Sequence, residues 1–125
     1  MIKAVIFDLD DTLIDYWKMK SSSVEKAVDA MIKTGLKIPK AQALKEIYEI
    51  YDNVGYEERF IFQKFFEKHG KIDYRIIAHG VLAYKEEWNR HLTPYPEVKE
   101  TLKKRNDPDK LKLFEELINV DKEWR

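Results

Sequence analysis

The chain begins with a short apolar run and then changes to a helical pattern that continues to its end. Residues 2 to 7 read Ile-Lys-Ala-Val-Ile-Phe, and Asp8 ends the run abruptly. Short β-branched runs favour strands, and four consecutive apolar positions, 4 to 7, predict a strand that is buried on both faces. Its backbone N–H and C=O groups would need partners, and the sequence contains no second β-rich run that supplies them.

From Leu13 onward the apolar residues recur at helical spacing, so we expect a mostly α-helical chain with one strand and about six helices. The first helix is predicted from about Asp15 to Thr34, although Ser22 and Glu25 have the spacing of a capping box that would delay its regular part. The second is predicted to begin near Pro39 and to end before Gly55. The remaining helices are expected at residues 56–69, 74–93, 96–105 and 107–118.

The composition is that of a globular protein. The length of 125 residues is typical of one domain, and 44% hydrophobic residues suffice for a core. The 23 basic and 23 acidic residues cancel, so we expect no nucleic-acid partner. The absence of cysteine excludes disulfides, thiolate metal sites and cysteine nucleophiles. No apolar run approaches the roughly 18 residues of a membrane span, and we expect a cytoplasmic protein without a membrane partner.

Two carboxylates follow the apolar run at a spacing of two residues. Side chains alternate in extended backbone, so Asp8 and Asp10 are predicted to face the same side at the carboxyl end of a strand, where α/β proteins place ligands. Two neighbouring carboxylates favour a bound cation or a shared proton. This combination suits a Mg²⁺ site that also provides a nucleophile and a proton donor.

An apolar strand followed by Asp-x-Asp-x-Thr-Leu resembles the first motif of the haloacid dehalogenase (HAD) superfamily of hydrolases. Within it, the chain most resembles archaeal phosphatases of the glyceraldehyde 3-phosphate phosphatase type. The resemblance implies the α/β fold of the family, a Rossmannoid core with a helical cap. It divides the chain into a first core strand with the catalytic loop at 1–14, a helical cap at 15–93, and a helical return segment at 94–125.

The resemblance also implies what the motif residues do. Asp8 would attack phosphorus to form an aspartyl-phosphate, and Asp10 would protonate the leaving alcohol and then activate water. Mg²⁺ would be held by the Asp8 carboxylate and the backbone carbonyl of Asp10. The N–H groups of Leu9 and Asp10 would hold phosphoryl oxygens of a small phosphorylated metabolite. Thr12 would support the turn, and Asp11 is expected to act only locally.

Three later motifs of that family do not occur after the cap: a Ser or Thr following a second core strand, a Lys in the expected strand or helix-start context, and an acidic pair following another strand. After Val98 the one Ser or Thr is Thr101, inside a charged helical run. We therefore expect a truncated chain, a split half or a degenerate relative, which is inactive by itself and needs a second polypeptide or another arrangement to supply the core. The alternative is a non-catalytic helical remnant or interaction module that self-associates.

Aromatic and basic residues near the motif and in the cap are predicted to be structural. Tyr16 and Trp17 favour core packing over a substrate pocket, and Lys18 and Lys20 are expected at a solvated helix start. The same packing is predicted for a cluster of aromatic residues in the third helix: Tyr56, Phe60, Phe62, Phe65 and Phe66.

Overall fold

The structure is a computed structural model that describes residues 6–104. These residues form five α-helices, which are α1 (Tyr16–Thr34), α2 (Lys40–Val54), α3 (Ile61–Lys68), α4 (Tyr74–His91) and α5 (Pro96–Lys104). The chain divides into two compact units. We call residues 22–87 the helical unit, and residues 1–21 with 88–125 the terminal unit. The predicted mostly helical fold is confirmed, while the helix expected at 107–118 lies outside the described residues.

The helical unit has an apolar core to which α1, α2, α3 and α4 all contribute. Apolar side chains recur in these helices at intervals of three and four residues, which places them on one face of each helix. The buried core residues from the four helices are Val24, Ala27, Val28, Met31, Ala43, Ile47, Ile50, Tyr51, Ile61, Phe62, Phe65, Phe66, Ile76 and Ile77. One face of each of these four helices therefore contributes to the core, as the helical spacing of the apolar residues predicts.

The predicted C-terminal end of α1 and the predicted starts of α2 and α4 are confirmed. Gly35 follows α1 with φ 129, a conformation that favours glycine, and its N–H donates to the Met31 carbonyl at 3.1 Å. Pro39 lies directly before α2. The carboxylate of Asp73 accepts the N–H groups of Arg75 and Ile76, at 3.0 and 3.2 Å, and so caps α4.

The start of α3 differs from the prediction. The helix begins at Ile61, because the five preceding residues form turns held by local hydrogen bonds. The Tyr56 hydroxyl donates to Asp52 at 2.6 Å, and the N–H of Phe60 donates to the Glu58 carboxylate at 2.8 Å. The prediction that Phe60 belongs to the core is wrong, since its side chain lies outside the helix and is 61% exposed. The other phenylalanines of that cluster are buried.

The capping box predicted inside the first helix is also wrong. α1 runs without interruption from Tyr16, and the cap is Asp15, whose carboxylate accepts the N–H of Lys18 at 3.0 Å. Ser22 consequently lies within the helix, where its backbone needs no cap. The expectation that Lys20 is solvated is contradicted as well, because this residue is only 5% exposed.

The N-terminal strand predicted at residues 2–7 falls mostly outside the described residues. Its described end, Ile6 and Phe7, belongs to no regular element, and these residues are 95% and 38% exposed. The prediction of burial on both faces is therefore wrong for these two residues. The physical reason is that, between residues 6 and 104, pairing is limited to isolated bridges, so no sheet pairs with them or covers them.

Candidate functional site

The motif that carries the two carboxylates lies in a tight turn directly before α1. The carbonyl of Leu9 accepts the N–H groups of Leu13 at 3.0 Å and Ile14 at 3.2 Å. In return, the N–H of Asp11 donates to the Ile14 carbonyl at 2.8 Å, which completes a parallel bridge between Asp10 and Ile14. Backbone hydrogen bonds thus close this loop, and the Ile14 side chain at its end is fully buried.

The structure brings two of the predicted site residues together at this turn. The hydroxyl of Thr12 donates to Oδ2 of Asp8 at 3.3 Å, and both residues are exposed. Leu9 and Asp10 lie between them and are half-buried. The Asp8 carboxylate is therefore oriented by a side-chain hydrogen bond while it stays accessible to solvent.

Carboxylates also connect the turn to the start of α1. Oδ1 of Asp11 accepts the N–H of Tyr16 at 3.0 Å, and Asp15 accepts that of Lys18 at the same distance. Negative groups are favourable at a helix N-terminus, because the backbone N–H groups there lack helical partners. Asp11 has the local role expected from the sequence, and its side chain joins the turn to the helix.

A second segment, distant in sequence, contacts the turn from the other side. The N–H of Tyr95 donates to the Leu13 carbonyl at 2.8 Å, and Pro94 forms an antiparallel bridge with Ile14. Partial burial raises the pKa of the Tyr95 phenol, and the negative charges of Asp15 and Asp11 raise it further. The sequence identified Pro94 and Tyr95 only as part of a return segment and gave no signal for this contact.

The aromatic residues at the start of α1 differ in burial. Tyr16 is buried, and its ring makes an edge contact with Trp88, with the centroids 5.8 Å apart. Trp17 is 49% exposed, so the prediction that it belongs to the core is wrong. Successive helix positions point about 100° apart, and only one of these neighbours can face the packed side.

The donor chemistry of the loop fits Mg²⁺ in part. Carboxylate and carbonyl oxygens are hard ligands, and Mg²⁺ is commonly held by one or two carboxylates together with waters and substrate phosphates. Within residues 6–104 no three His, Cys, Asp or Glu side chains are grouped so that they could hold a metal ion. Asp8 and the backbone of Asp10 would therefore provide only part of a coordination shell.

The profile of the haloacid dehalogenase-like hydrolases matches residues 5–113. The chain belongs to this family. It is similar to proteins named glyceraldehyde 3-phosphate phosphatase from three archaea. Identity is 32% over 105 residues with that of Methanopyrus kandleri, which covers 82% of this chain and 45% of the relative. The relative from Methanocaldococcus jannaschii is 33% identical over 103 residues, which are 82% of this chain and 45% of that relative.

The third of these relatives is from Pyrococcus furiosus and is 29% identical over 103 residues, which are 81% of this chain and 42% of the relative. The haloacid dehalogenase-like chain thus spans less than half the length of the curated relatives that it matches. Its described helices include none with the length and apolarity that a bilayer-spanning helix requires.

Proposed function

We propose that this chain provides the nucleophile-bearing loop of a Mg²⁺-dependent phosphatase that acts on small phosphate monoesters. The observation that carries the proposal is the exposed Asp8 carboxylate, oriented by the Thr12 hydroxyl at 3.3 Å, in a member of the haloacid dehalogenase-like hydrolases. An accessible carboxylate that a hydrogen bond orients can approach phosphorus.

The proposed reaction has two steps. Because the hydrogen bond from Thr12 directs Oδ2 of Asp8, we assign the attack to Oδ1, which bonds to phosphorus while the ester P–O bond breaks. Asp10 gives its proton to the leaving alkoxide. A water molecule then attacks phosphorus, Asp10 takes its proton, and the bond to Asp8 breaks to release inorganic phosphate. The N–H groups of Leu9 and Asp10 orient the phosphoryl oxygens.

A metal ion would complete the charge balance of this site. The Asp8 carboxylate and the Asp10 carbonyl would hold Mg²⁺, which neutralises negative charge that otherwise repels a carboxylate nucleophile from a phosphate. In the proposal, the phosphate-binding hydroxyl, the lysine and the acidic pair come from a second polypeptide. This part of the proposal is supported by the lack of a three-residue metal cluster in the described part of the chain.

The experiment is complementation. The chain is mixed with a polypeptide that carries the unmatched part of the Methanopyrus kandleri relative, and hydrolysis of p-nitrophenyl phosphate and of glyceraldehyde 3-phosphate is measured with Mg²⁺. We expect turnover only from the mixture, and its loss in Asp8→Asn. Asp15→Asn is the matched control, because it neutralises a carboxylate of the same loop region that the mechanism does not use.

Two outcomes contradict the proposal in different ways. Turnover by the mixture that persists in Asp8→Asn means that Asp8 is not the nucleophile. Turnover by the chain alone that disappears in Asp8→Asn means that a complete site exists in these 125 residues. In that case the proposed need for a second polypeptide is wrong, while the proposed role of Asp8 stands.

A non-catalytic interaction module is the second candidate function. The observation that favours it is an exposed apolar stripe on α4, where Tyr74, Ala78 and Leu82 follow one another at intervals of four residues. Tyr74 and Leu82 are 69% and 60% exposed. Sedimentation equilibrium of the chain and of Leu82→Glu tests it, since self-association through this stripe would weaken in the variant.

A further inference from the structure

Asp11 has an unusual backbone conformation in the candidate site. Its φ is 60, and between residues 6 and 104 it is the one non-glycine residue with positive φ. This left-handed region is costly for most L-residues, because Cβ comes close to the following carbonyl oxygen. Asp and Asn adopt it more readily than other non-glycine residues, and glycine adopts it without this cost.

The contacts of Asp11 explain what holds this conformation. Its N–H donates to the Ile14 carbonyl at 2.8 Å, and its Oδ1 accepts the N–H of Tyr16 at 3.0 Å. The backbone of Asp11 therefore closes the turn, and its side chain attaches the turn to the first residue of α1. Its two chain neighbours are Asp10 and Thr12, whose directions depend on the dihedral angles of Asp11.

We propose that Asp11 is a positioning residue of the phosphatase site, which sets the turn so that the Thr12 hydroxyl reaches the Asp8 carboxylate. The inference rests on the proposed function, since Asp11 acts through Asp8, Asp10 and Thr12. It assigns Asp11 two separable contributions. One is tolerance of positive φ, and the other is a carboxylate oxygen that accepts the N–H of Tyr16.

Four variants of the full chain separate these contributions. Asp11→Ala removes both, Asp11→Gly restores only the backbone freedom, and Asp11→Asn keeps both an acceptor oxygen and the tolerance of positive φ. Asp15→Ala is the matched control. It removes the same charge and one cap of the same helix, but the hydrogen bond that it removes comes from Lys18 and does not involve Asp11.

The first readout is amide hydrogen exchange at Leu13 and Ile14, whose N–H groups donate to Leu9 within the turn. We expect exchange to be roughly tenfold faster or more in Asp11→Ala, partly restored in Asp11→Gly, and close to wild type in Asp11→Asn. In Asp15→Ala we expect exchange to be less than about threefold faster, because the cap that this variant removes lies outside the turn.

The second readout is one that a merely structural residue would not change. Mn²⁺ serves as a paramagnetic probe in place of Mg²⁺, since both prefer oxygen ligands, and broadening of the Leu9 and Asp10 amide resonances reports its binding. We expect Asp11→Ala to require several-fold more Mn²⁺ than Asp15→Ala, although both variants have lost one negative charge.

Other outcomes would contradict either the role of Asp11 or the metal site of the proposed function. Equal effects of Asp11→Ala and Asp15→Ala in both readouts overturn the inference, because charge or capping alone then accounts for them. Faster exchange in Asp11→Ala without a change in the Mn²⁺ requirement overturns the link to the site. If Mn²⁺ broadens wild type and Asp8→Asn alike, the metal site of the proposed function is wrong. The exchange readout then decides whether Asp11 sets the turn.

Discussion

The helical unit and the loop that carries Asp8 are stabilised by different interactions. In the helical unit, large side chains such as Tyr51, Phe65 and Met31 are almost completely removed from water. In the loop, Asp8 and Thr12 are exposed, and backbone hydrogen bonds to the carbonyls of Leu9 and Ile14 close the turn. Burial of apolar area contributes most of the free energy of folding, whereas exposed polar groups contribute little to it.

The difference separates stability from chemistry within one chain. Groups that must reach a substrate cannot also be buried in a core, so the loop depends on short-range hydrogen bonds for its geometry. We therefore expect substitutions in the helical unit to change the free energy of unfolding. Substitutions in the loop should change the site and leave that free energy nearly constant.

The largest effect is expected from the core of the helical unit. Phe65 is 0% exposed, so Phe65→Ala should lower the free energy of unfolding by about 3–5 kcal/mol, through lost burial and a cavity. Urea denaturation measures this change. The matched control is Phe60→Ala, which truncates a 61% exposed ring and should change stability by less than about 0.5 kcal/mol. Similar losses in both variants would contradict the assigned core.

A close approach of α1 and α4 should give the next largest effect. A Cβ at Gly80 would lie 2.8 Å from Cγ of Met31, so Gly80→Ala should destabilise by about 1 kcal/mol, even though alanine favours helices. In a Met31→Ala background the same substitution should stabilise, because the clash is gone. A double-mutant cycle in urea tests this reversal of sign, and additive effects would exclude the contact.

A hydrogen-bonded carboxylate of the helical unit should make the stability of the protein depend on pH. The Glu46 carboxylate accepts hydrogen bonds from Gln42 at 2.9 Å and contacts the His69 ring at 2.5 Å, and these bonds lower the pKa of Glu46. Because the pKa of Glu46 is lower in the folded state, its carboxylate stabilises the folded protein at pH values above the pKa that it has in the unfolded chain. That contribution is lost as pH falls through the folded value.

Glu46→Gln should therefore be less stable than wild type by about 0.5–1 kcal/mol at pH 6, with the difference shrinking below roughly pH 4. Urea denaturation at both pH values measures this. Glu49→Gln is the control on the same helix, because Glu49 faces Lys45 at 3.9 Å on the surface and should change stability little at either pH. A difference for Glu46→Gln that is constant with pH would contradict the role of its carboxylate.

The smallest effect is expected in the loop. Thr12→Val removes the hydroxyl that donates to Asp8 but keeps the shape of the side chain, and it should change the free energy of unfolding by less than about 0.5 kcal/mol. Urea denaturation provides the measurement, and Thr34→Val is the comparison. The hydroxyl of Thr34 is partly buried and donates to the Ala30 carbonyl at 2.7 Å. A large loss in Thr12→Val would show that the loop also serves stability.

The sequence by itself determined the features that depend on a few neighbouring residues. The end of α1 at Gly35 and the cap of α4 at Asp73 were predicted correctly, because the conformation of glycine and the carboxylate of a cap act within one turn of helix. The family membership followed from the motif that begins at Asp8. The helical spacing of the apolar residues correctly predicted a mostly helical chain, since one face of each helix packs inward.

Only the tertiary structure decided how residues far apart in sequence meet. The pair of Glu46 and His69, the approach of Gly80 to Met31 and the bond from Tyr95 to Leu13 connect separate segments. Which polar groups meet across such distances depends on how the whole core packs, and no local pattern encodes it. The same reason explains the exposure of Phe60 and Trp17, because an aromatic side chain is buried only where another element covers it.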